Sequence, residues 1–220
     1  MSEAAIPPLY ALADGDRLGL DRLPAAAKAL ADAGLRWIQL RLKSGTDAQR
    51  FDAARRTLEV LELRGRSAAP LLWIDDRADF ALALPFGGVH VGQTDLPARE
   101  VRIAMQAAGR TVQIGRSCHD LEQVQRADAD PDVDVVAIGP VFATRSKADA
   151  EPTVGLEGVR QARGATAKPL VAIGGLNAAT IPRVRQAGAD CCAVLSAWGD
   201  EPLEIARRAP ALVRAAESST

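Results

Sequence analysis

The feature that most constrains the fold of this chain is a regular alternation between short apolar runs and amphipathic stretches. Eight runs rich in Val, Ile and Leu are separated by stretches with apolar residues at helical spacing. The runs are mostly continuous rather than interrupted by polar residues, which is typical of strands buried on both faces of a parallel sheet. The predicted strands span residues 9–13, 37–42, 70–75, 88–92, 112–115, 135–139, 169–174 and 191–196.

The segments between the runs are predicted to be helices. Leu23, Ala27 and Leu30 recur at the i, i+4 and i+7 positions, which lie on one helix face. Residues 202–218 predict a last helix, which Pro210 should kink or break because proline lacks a backbone N–H.

Eight strand-plus-helix units without a Ser/Gly-rich linker indicate one α/β domain, a (β/α)8 TIM barrel. We expect this single domain to span residues 1–220, with its core at about 8–215. The alternative is an open flavodoxin-like or Rossmann sheet. A dinucleotide-binding Rossmann sheet should carry G-x-G-x-x-G after its first strand, but this chain has "ALADGD" there.

Charge and cysteine content limit the partners of the protein. The formal net charge of −1 favours neither a nucleic-acid nor a membrane partner, so any anion site must be local. The three cysteines lack metal-ligand spacing and are predicted to be reduced thiols. The N-terminus does not resemble a signal peptide and no apolar run approaches a membrane span, so we expect a cytoplasmic protein. Assembly into a homo-oligomer is compatible with these features.

In a (β/α)8 barrel the active site lies where the C-terminal strand ends meet, and polar residues leave the predicted strands at that end. Gln39, Arg41 and Lys43 alternate and therefore share one face of the second strand. Two cations inside a barrel mouth require an anion. The alternative is that both cations face outward and pair with helix carboxylates.

Carboxylates follow the next two predicted strands. Asp75 and Asp76 end the third strand, and Asp95 follows the fourth. Mg²⁺ is typically held by one or two carboxylates together with substrate phosphates, so Asp76 and Asp95 beside the two cations would suit a Mg²⁺–pyrophosphate complex. The alternatives are a salt bridge from the Asp75–Asp76 pair to Arg77, or helix capping by either group.

The stretch "GPVFATRSK" follows the sixth strand, and its Lys147 with the hydroxyls of Thr144 and Ser146 could close the other side of that Mg²⁺–pyrophosphate site. A second anion site is predicted by "AIGG" and "VLSAW", which end the last two strands, where loops of barrel enzymes commonly bind phosphate through backbone N–H groups. A tight turn would explain the two glycines equally well.

The two histidines predict no catalytic triad. His90 alternates with Val89 and Val91 and is interpreted as a packed, hydrogen-bonded side chain. His119 follows Ser117 by two residues and is expected to orient the site. Without a nucleophile elbow, acyl-transfer hydrolysis is not expected.

Six motifs, in this order, resemble the thiamine-phosphate synthase family. They are "QLRLK", "DDRADFA", "GVHVGQTDLP", "IGRSCH", "GPVFATRSK…GLEG" and "VAIGGLN…AGAD", which together cover about residues 8–200. The resemblance implies a (β/α)8 barrel that joins a pyrimidine diphosphate to a carboxylated thiazole phosphate, releasing pyrophosphate and CO₂.

The resemblance also implies roles for individual residues. Mg²⁺ would be held by Asp76 and Asp95. The pyrimidine's diphosphate would contact Gln39, Arg41, Lys43, Asp75, Ser117 and Lys147. The thiazole phosphate would contact Thr144, Ser146, Gly175, Leu195 and Ser196. The residues predicted to act in catalysis are Arg41, Lys43, Ser117 and Lys147.

Three positions depart from the family pattern. Asp75 stands where the family usually has Asn, which adds a negative charge beside the diphosphate and calls for Arg77 or another cation as its partner. Ser146 stands for Thr and keeps the hydroxyl. Ala13 stands where Thr is frequent and is expected to alter the pocket floor.

Two other functions remain open from the residues. The related thiazole tautomerases are expected to lack the diphosphate cluster and to carry His in place of Pro140. A non-catalytic phosphate-binding barrel would explain the cations but not the paired carboxylates. Pro140 and the charged set favour the synthase.

Overall fold

The computed structural model describes residues 6–62, 69–144 and 151–218, and it shows a closed barrel of eight parallel strands in sequential order. The barrel closes where the last strand pairs with the first, with Tyr10 opposite Ala193. The strands are β1 Leu9–Asp14, β2 Trp37–Arg41, β3 Leu71–Asp75, β4 Gly88–Val91, β5 Gln113–Cys118, β6 Val135–Ile138, β7 Leu170–Ile173 and β8 Cys191–Val194.

Helices follow the strands and cover the outside of the barrel. Within the described ranges they are α1 Gly15–Leu18, α2 Leu23–Asp32, α3 Asp47–Glu62, α4 Ala78–Ala83, α5 Ala98–Ala107, α6 Leu121–Ala129, α7 Gly155–Ala165, α8 Ile181–Gln186 and α9 Pro202–Glu217, with a 3₁₀ turn at Ser196–Trp198. No helix of these ranges is long and apolar enough to span a membrane.

The buried side chains form two sets on opposite sides of the sheet. One set packs between the strands and the helices, and the other fills the inside of the barrel. The lower interior is aromatic, with ring centroids 5.1 to 5.6 Å apart for Tyr10, Trp37 and Trp73. Gly88 makes room for this cluster, since a Cβ there would lie 2.2 Å from the Trp73 ring. The aromatic cluster is therefore the floor on which any interior ligand must rest.

The predicted (β/α)8 barrel and all eight predicted strands are confirmed. The predicted effect of Pro210 on the last helix is partly wrong, because α9 is one helix that runs through Pro210 without a break. Pro210 is exposed, while Ile205, Ala209 and Leu212 are buried. Burial of that face keeps the helix together although one backbone hydrogen bond is missing.

Two smaller expectations also change. Strand β5 runs to Cys118, beyond the predicted end at residue 115, so Ser117 belongs to the strand itself. Ala13 lies in the layer between sheet and helices, so its side chain points away from the barrel interior. The expectation that Ala13 alters the pocket floor is therefore wrong.

Candidate active site

The C-terminal ends of the strands enclose an open cavity of about 530 Å³. The predicted site residues that line it are Gln39, Arg41, Lys43, Asp75, Asp76, Asp95, Ser117, Thr144, Gly175, Leu195 and Ser196. Two further predicted residues, Ser146 and Lys147, lie outside the residues that the structure describes. The fold thus brings every described member of the predicted set to one cavity, although their chemical roles remain predictions.

The polar side chains of β2 face the cavity at different depths. Gln39 is only 2 % exposed and donates from Nε2 to the Tyr10 hydroxyl at 3.0 Å, so it belongs to the cavity floor. Arg41 lies above it and donates from Nη1 to Asp14 Oδ2 at 2.8 Å. The alternative of outward-facing cations is therefore wrong.

Lys43 and Asp75 form the centre of an ionic cluster at the mouth. Lys43 Nζ lies 2.9 Å from Asp75 Oδ2 and also contacts the Asp76 carboxylate. Burial alone would lower the pKa of Lys43, but the charges of Asp75 and Asp76 outweigh it and raise the pKa above the ordinary value. Arg41 Nε lies 3.8 Å from the same Asp75 oxygen. Lys43 and Arg41 are therefore the cations that compensate Asp75.

Arg77 belongs to a different cluster. Its guanidinium donates to Asp79 and to Asp47, both on the helices outside the cavity. The predicted salt bridge from the Asp75–Asp76 pair to Arg77 is thus wrong. The N-cap residue of helix α4 is Arg77, and no side chain makes a capping hydrogen bond there. Asp75 and Asp76 therefore do not cap this helix.

Asp76 is held in a conformation that is rare for a residue with a Cβ. Its φ is +61°, and its backbone N–H donates to the His90 carbonyl oxygen at 2.8 Å. Burial, followed by the charge of Asp75, raises the pKa of the Asp76 carboxyl to about 6, and a side-chain hydrogen bond with Asp95 contributes in the same direction. Two carboxyl groups this close favour the protonated form of one of them, because like charges repel.

Asp95 stabilises the loop after β4. Its Oδ2 accepts the Gly92 N–H at 2.7 Å, whereas α5 has Pro97 at its N-cap and no side-chain capping bond. The alternative that Asp95 caps this helix is therefore wrong. Gly92 permits the close contact, since a Cβ there would lie 2.8 Å from the same oxygen.

The carboxylates at the mouth suit Mg²⁺ better than a metal ion that takes all its ligands from protein side chains. Within the described ranges no three acidic, His or Cys side chains are grouped so that they could hold a metal ion. Mg²⁺ needs only one or two carboxylates when water and substrate phosphates complete its shell. The pair Asp76 and Asp95 matches that requirement.

Ser117 is held from two sides by residues of β4 and its loop. His90 Nε2 lies 2.9 Å from Ser117 Oγ, and Gln93 Nε2 donates to the Ser117 carbonyl oxygen at 2.5 Å. Burial lowers the pKa of His90 although the Asp75 charge opposes it, so the ring is neutral near about pH 7. The interpretation of His90 as a packed, hydrogen-bonded residue is confirmed, and the residue also lines the cavity.

The opposite wall is made of backbone. Gly174 and Gly175 have φ values of +104° and +67°, and a Cβ on Gly175 would lie 2.8 Å from the Ala143 carbonyl oxygen. The glycine turn after β7 therefore touches the segment that leads to Thr144. Its close approach requires glycine, because a side chain there would collide with that segment.

Sequence reasoning missed Tyr10 and Gln93 in the cavity lining, and also Asp14, which lies beside the cavity. Asp14 ends β1, is 3 % exposed, and accepts from both Arg41 and the Asp16 N–H, each at 2.8 Å. A carboxylate directly after an apolar strand was the available sign, the same one that drew attention to Asp75 and Asp76. The structure shows that Asp14 fixes the guanidinium of Arg41.

Comparison with known proteins gives one consistent result. The family model for thiamine monophosphate synthase matches residues 9–198. The chain is 42 % identical to the thiamine-phosphate synthase of Koribacter versatilis, covering 87 % of this chain and 88 % of the relative. It is 39 % identical to that of Chloroflexus aurantiacus, covering 86 % and 84 %.

A solved structure agrees. Thiamine phosphate pyrophosphorylase from Pyrococcus furiosus superimposes with a TM-score of 0.79 at 27 % identity, covering 96 % of both chains. The match to the family model covers well over half of the chain, and both relatives exceed 30 % identity over most of their length. This chain belongs to the thiamine monophosphate synthase family.

Proposed function

We propose that this protein is a transferase of thiamine biosynthesis. It joins the diphosphate of a hydroxymethyl aminopyrimidine with a thiazole phosphate to give thiamine phosphate and pyrophosphate, with CO₂ released when the thiazole is carboxylated. The observation that carries the proposal is a single cavity with an ionic cluster on β2 and β3 and a glycine turn after β7. Such a cavity can hold two different phosphate groups at opposite walls.

The reaction is divided between these two walls. The pyrimidine C–O bond breaks and its electron pair leaves with pyrophosphate, and the thiazole nitrogen then forms the new C–N bond. Arg41 and Lys43 stabilise the charge of the leaving group, and the donor groups around it are already oriented by the barrel. The glycine turn would hold the second phosphate, so that the thiazole nitrogen lies in line with the reacting carbon.

The depth of Gln39 assigns it to another part of the substrate. Its amide binds Tyr10 at the aromatic floor, below Arg41 and Lys43. We therefore assign the pyrimidine ring to the floor and the diphosphate to the cations nearer the mouth. This changes the predicted role of Gln39 from a diphosphate contact to a contact with the ring.

Charge at the mouth supports Mg²⁺ as the cofactor. Arg41 and Lys43 are already paired with Asp14, Asp75 and Asp76, so a bare diphosphate would meet cations that carboxylates neutralise. Bound Mg²⁺ would supply positive charge to the leaving group, with Asp76 and Asp95 as its protein ligands. The cytoplasmic location and a homo-oligomeric state remain further proposals.

The test is direct synthesis with matched variants. Purified protein is incubated with both substrates and Mg²⁺, and thiamine phosphate is quantified against an EDTA control. Asp76→Ala and Asp95→Ala should each reduce turnover by about 100-fold or more, whereas Asp79→Ala, outside the cavity, should not. Absence of product above the EDTA control would reject the proposed reaction.

The related tautomerase function makes a different prediction. A tautomerase would act on the thiazole phosphate without the pyrimidine diphosphate, and would not need the ionic cluster. Pro140 and the contacts between Lys43, Asp75 and Asp76 favour the transferase. Conversion of the thiazole phosphate alone, followed by nuclear magnetic resonance, would identify the tautomerase.

A further inference from the structure

The contact between His90 and Ser117 has two possible hydrogen-bond directions. The ring is 8 % exposed, and its Nε2 lies 2.9 Å from Ser117 Oγ. A serine hydroxyl and a neutral imidazole can each donate or accept. The direction matters because it decides whether Ser117 has a hydrogen left for a ligand in the cavity.

The other ring nitrogen indicates the direction. His90 Nδ1 is buried and, within the part of the chain that the structure describes, has no hydrogen-bond partner. It lies against the backbone of β5, since a Cβ on Gly115 would be 2.4 Å away. A hydrogen on Nδ1 would point into this contact as a buried unpaired donor, which is rarer in proteins than an unpaired acceptor. A hydrogen on Nε2 instead finds Ser117 Oγ.

We propose that His90 is a positioning residue that carries its hydrogen on Nε2, donates it to Ser117 Oγ, and so directs the Ser117 hydroxyl hydrogen to an oxygen of the bound diphosphate. The contact to diphosphate rests on the proposed function, whereas the tautomer rests on the packing of His90 alone. A phosphate oxygen only accepts hydrogen bonds, so Ser117 helps to bind it only as a donor. In the opposite arrangement the Ser117 hydroxyl donates its hydrogen to His90, and only its oxygen lone pairs face the anion.

Gln93 supports the same orientation. Its amide donates to the Ser117 carbonyl oxygen at 2.5 Å, which fixes the serine backbone while His90 fixes the side chain. Both hydrogen bonds to Ser117 come from β4 and the loop after it. In the β4–β5 register His90 lies opposite Gly115. The loop that brings Asp95 to the mouth therefore also orients Ser117.

His119 provides an internal reference. Its Nδ1 lies 2.7 Å from the Gly139 carbonyl oxygen, which can only accept, so the hydrogen of the neutral ring is on Nδ1. The chain has two histidines. We therefore expect the two rings to carry opposite tautomers in one protein.

The first experiment reads these tautomers directly. Full-length protein labelled with ¹⁵N-histidine is examined by long-range ¹H–¹⁵N correlation at about pH 8.5, where an ordinary histidine is neutral. Spectra of His119→Gln assign the two rings. The expected result is an Nε2-bound hydrogen on His90 and an Nδ1-bound hydrogen on His119. An Nδ1-bound hydrogen on His90 would overturn the positioning role, whatever the activity.

The second experiment tests the contact to the anion. Inorganic pyrophosphate with Mg²⁺ is titrated calorimetrically into wild type, His90→Gln, His90→Leu, Ser117→Ala and the double variant that combines His90→Leu with Ser117→Ala. His90→Leu should weaken binding about tenfold, and His90→Gln, which keeps a donor, by about threefold or less. The double variant should bind no more weakly than Ser117→Ala, because His90 acts through Ser117. Melting temperatures confirm that each variant is folded.

Two outcomes separate the ideas. Equal losses for His90→Gln and His90→Leu, with additive effects in the double variant, would show a purely structural role and overturn the proposal. Absence of pyrophosphate binding by the wild type would overturn the diphosphate contact together with the proposed function. The tautomer of His90 would still be decided by the first experiment.

Discussion

Arg102 at the N-terminal end of the barrel and Lys43 at the C-terminal end are both paired with carboxylates, but their partners differ. Arg102 donates to the carbonyl oxygens of Val112 and Asp132 and to Asp134 Oδ2, at 2.8, 3.0 and 2.6 Å. Asp134 in turn accepts the Ile114 N–H at 2.7 Å. Lys43, by contrast, is bound to the carboxylates of Asp75 and Asp76.

A second cluster at the N-terminal end repeats the arrangement of Arg102. Arg163 Nη1 donates to Asp190 Oδ2 at 2.6 Å, and the same oxygen accepts the Leu170 N–H at 2.8 Å. In both clusters an arginine and a strand N–H meet one carboxylate oxygen. These arginines therefore connect loops to strands.

The difference teaches which charges are available for binding. The carbonyl oxygens that bind Arg102 belong to the backbone just before β5 and β6, so that cluster contributes to stability. The carboxylates around Lys43 are side chains at an open cavity. A metal ion could bind these carboxylates in place of Lys43, and a phosphate could bind Lys43 in their place. A barrel can thus carry similar ion pairs at both ends and use only one set for chemistry.

The largest expected effect is on activity at the mouth. Lys43→Ala should lower kcat/KM by about 100-fold or more, because a charge that stabilises the leaving pyrophosphate is removed. Steady-state kinetics and thermal unfolding are measured together. Lys28→Ala is the matched control, since Lys28 pairs with Asp32 on the exposed face of α2. A fall in melting temperature with kcat/KM nearly unchanged would show that Lys43, like Arg102, contributes to stability rather than to catalysis.

The next effect is on stability at the other end. Arg102→Ala should lower the free energy of unfolding by about 2 kcal/mol, because two carbonyl oxygens and the Asp134 carboxylate each lose a charged donor. Urea denaturation measures this loss, and kcat/KM of the folded variant should stay within about twofold of the wild type. Arg126→Ala, which loses an exposed i,i+4 pair with Glu122, should cost less than about 0.5 kcal/mol. A large fall in kcat/KM at full folding would contradict the division between the two ends.

The smallest effect concerns the unusual carboxylate at the mouth. Asp75→Asn should keep or raise activity, because Lys43 and Arg41 lose a competing anion. It should also lower the pKa of Asp76, which burial and then the charge of Asp75 raise to about 6. Because Asp76 must be ionised to hold Mg²⁺, affinity for the metal falls as the pH drops through that pKa. The acidic limb of Mg²⁺ affinity should therefore move to lower pH in the variant.

This shift is measured by titrating Mg²⁺ into the protein over a pH series. Asp79→Asn removes an equal charge from the Arg77 cluster and should leave the limb in place. A collapse of activity in Asp75→Asn would instead show that this chain depends on the carboxylate.

The sequence predicted most members of the cavity but fewer of their partners. Alternation along β2 was enough to place Arg41 and Lys43 on one face, because the side-chain period of a strand is two. The partner of Asp75 could not be predicted in this way, since Arg77 is near it in sequence and Lys43 is near it only in the barrel. Choosing between Arg77 and Lys43 as the partner of Asp75 required the positions of the ends of β2 and β3 in the barrel.

Local patterns also misassigned two structural features. The position of Asp95 before Pro97 suggested a helix cap, but the carboxylate turns back to Gly92. Pro210 suggested a possible break, but burial of the helix face on both sides of it maintains α9. In both cases a nearby tertiary or loop contact outweighed the local preference.

The sequence by itself determined the number of strand–helix units, the strands, and the polar residues that leave each strand at the same end. These depend on the hydrophobic pattern and on chain order, which are local. Only the tertiary structure decided which of those residues meet. Register sets Asp14 beside Arg41 and Asp75 beside His90, and closure of β8 on β1 completes the cavity wall. Pairing between distant segments depends on the packing of the whole barrel, so no single stretch of the chain contains it.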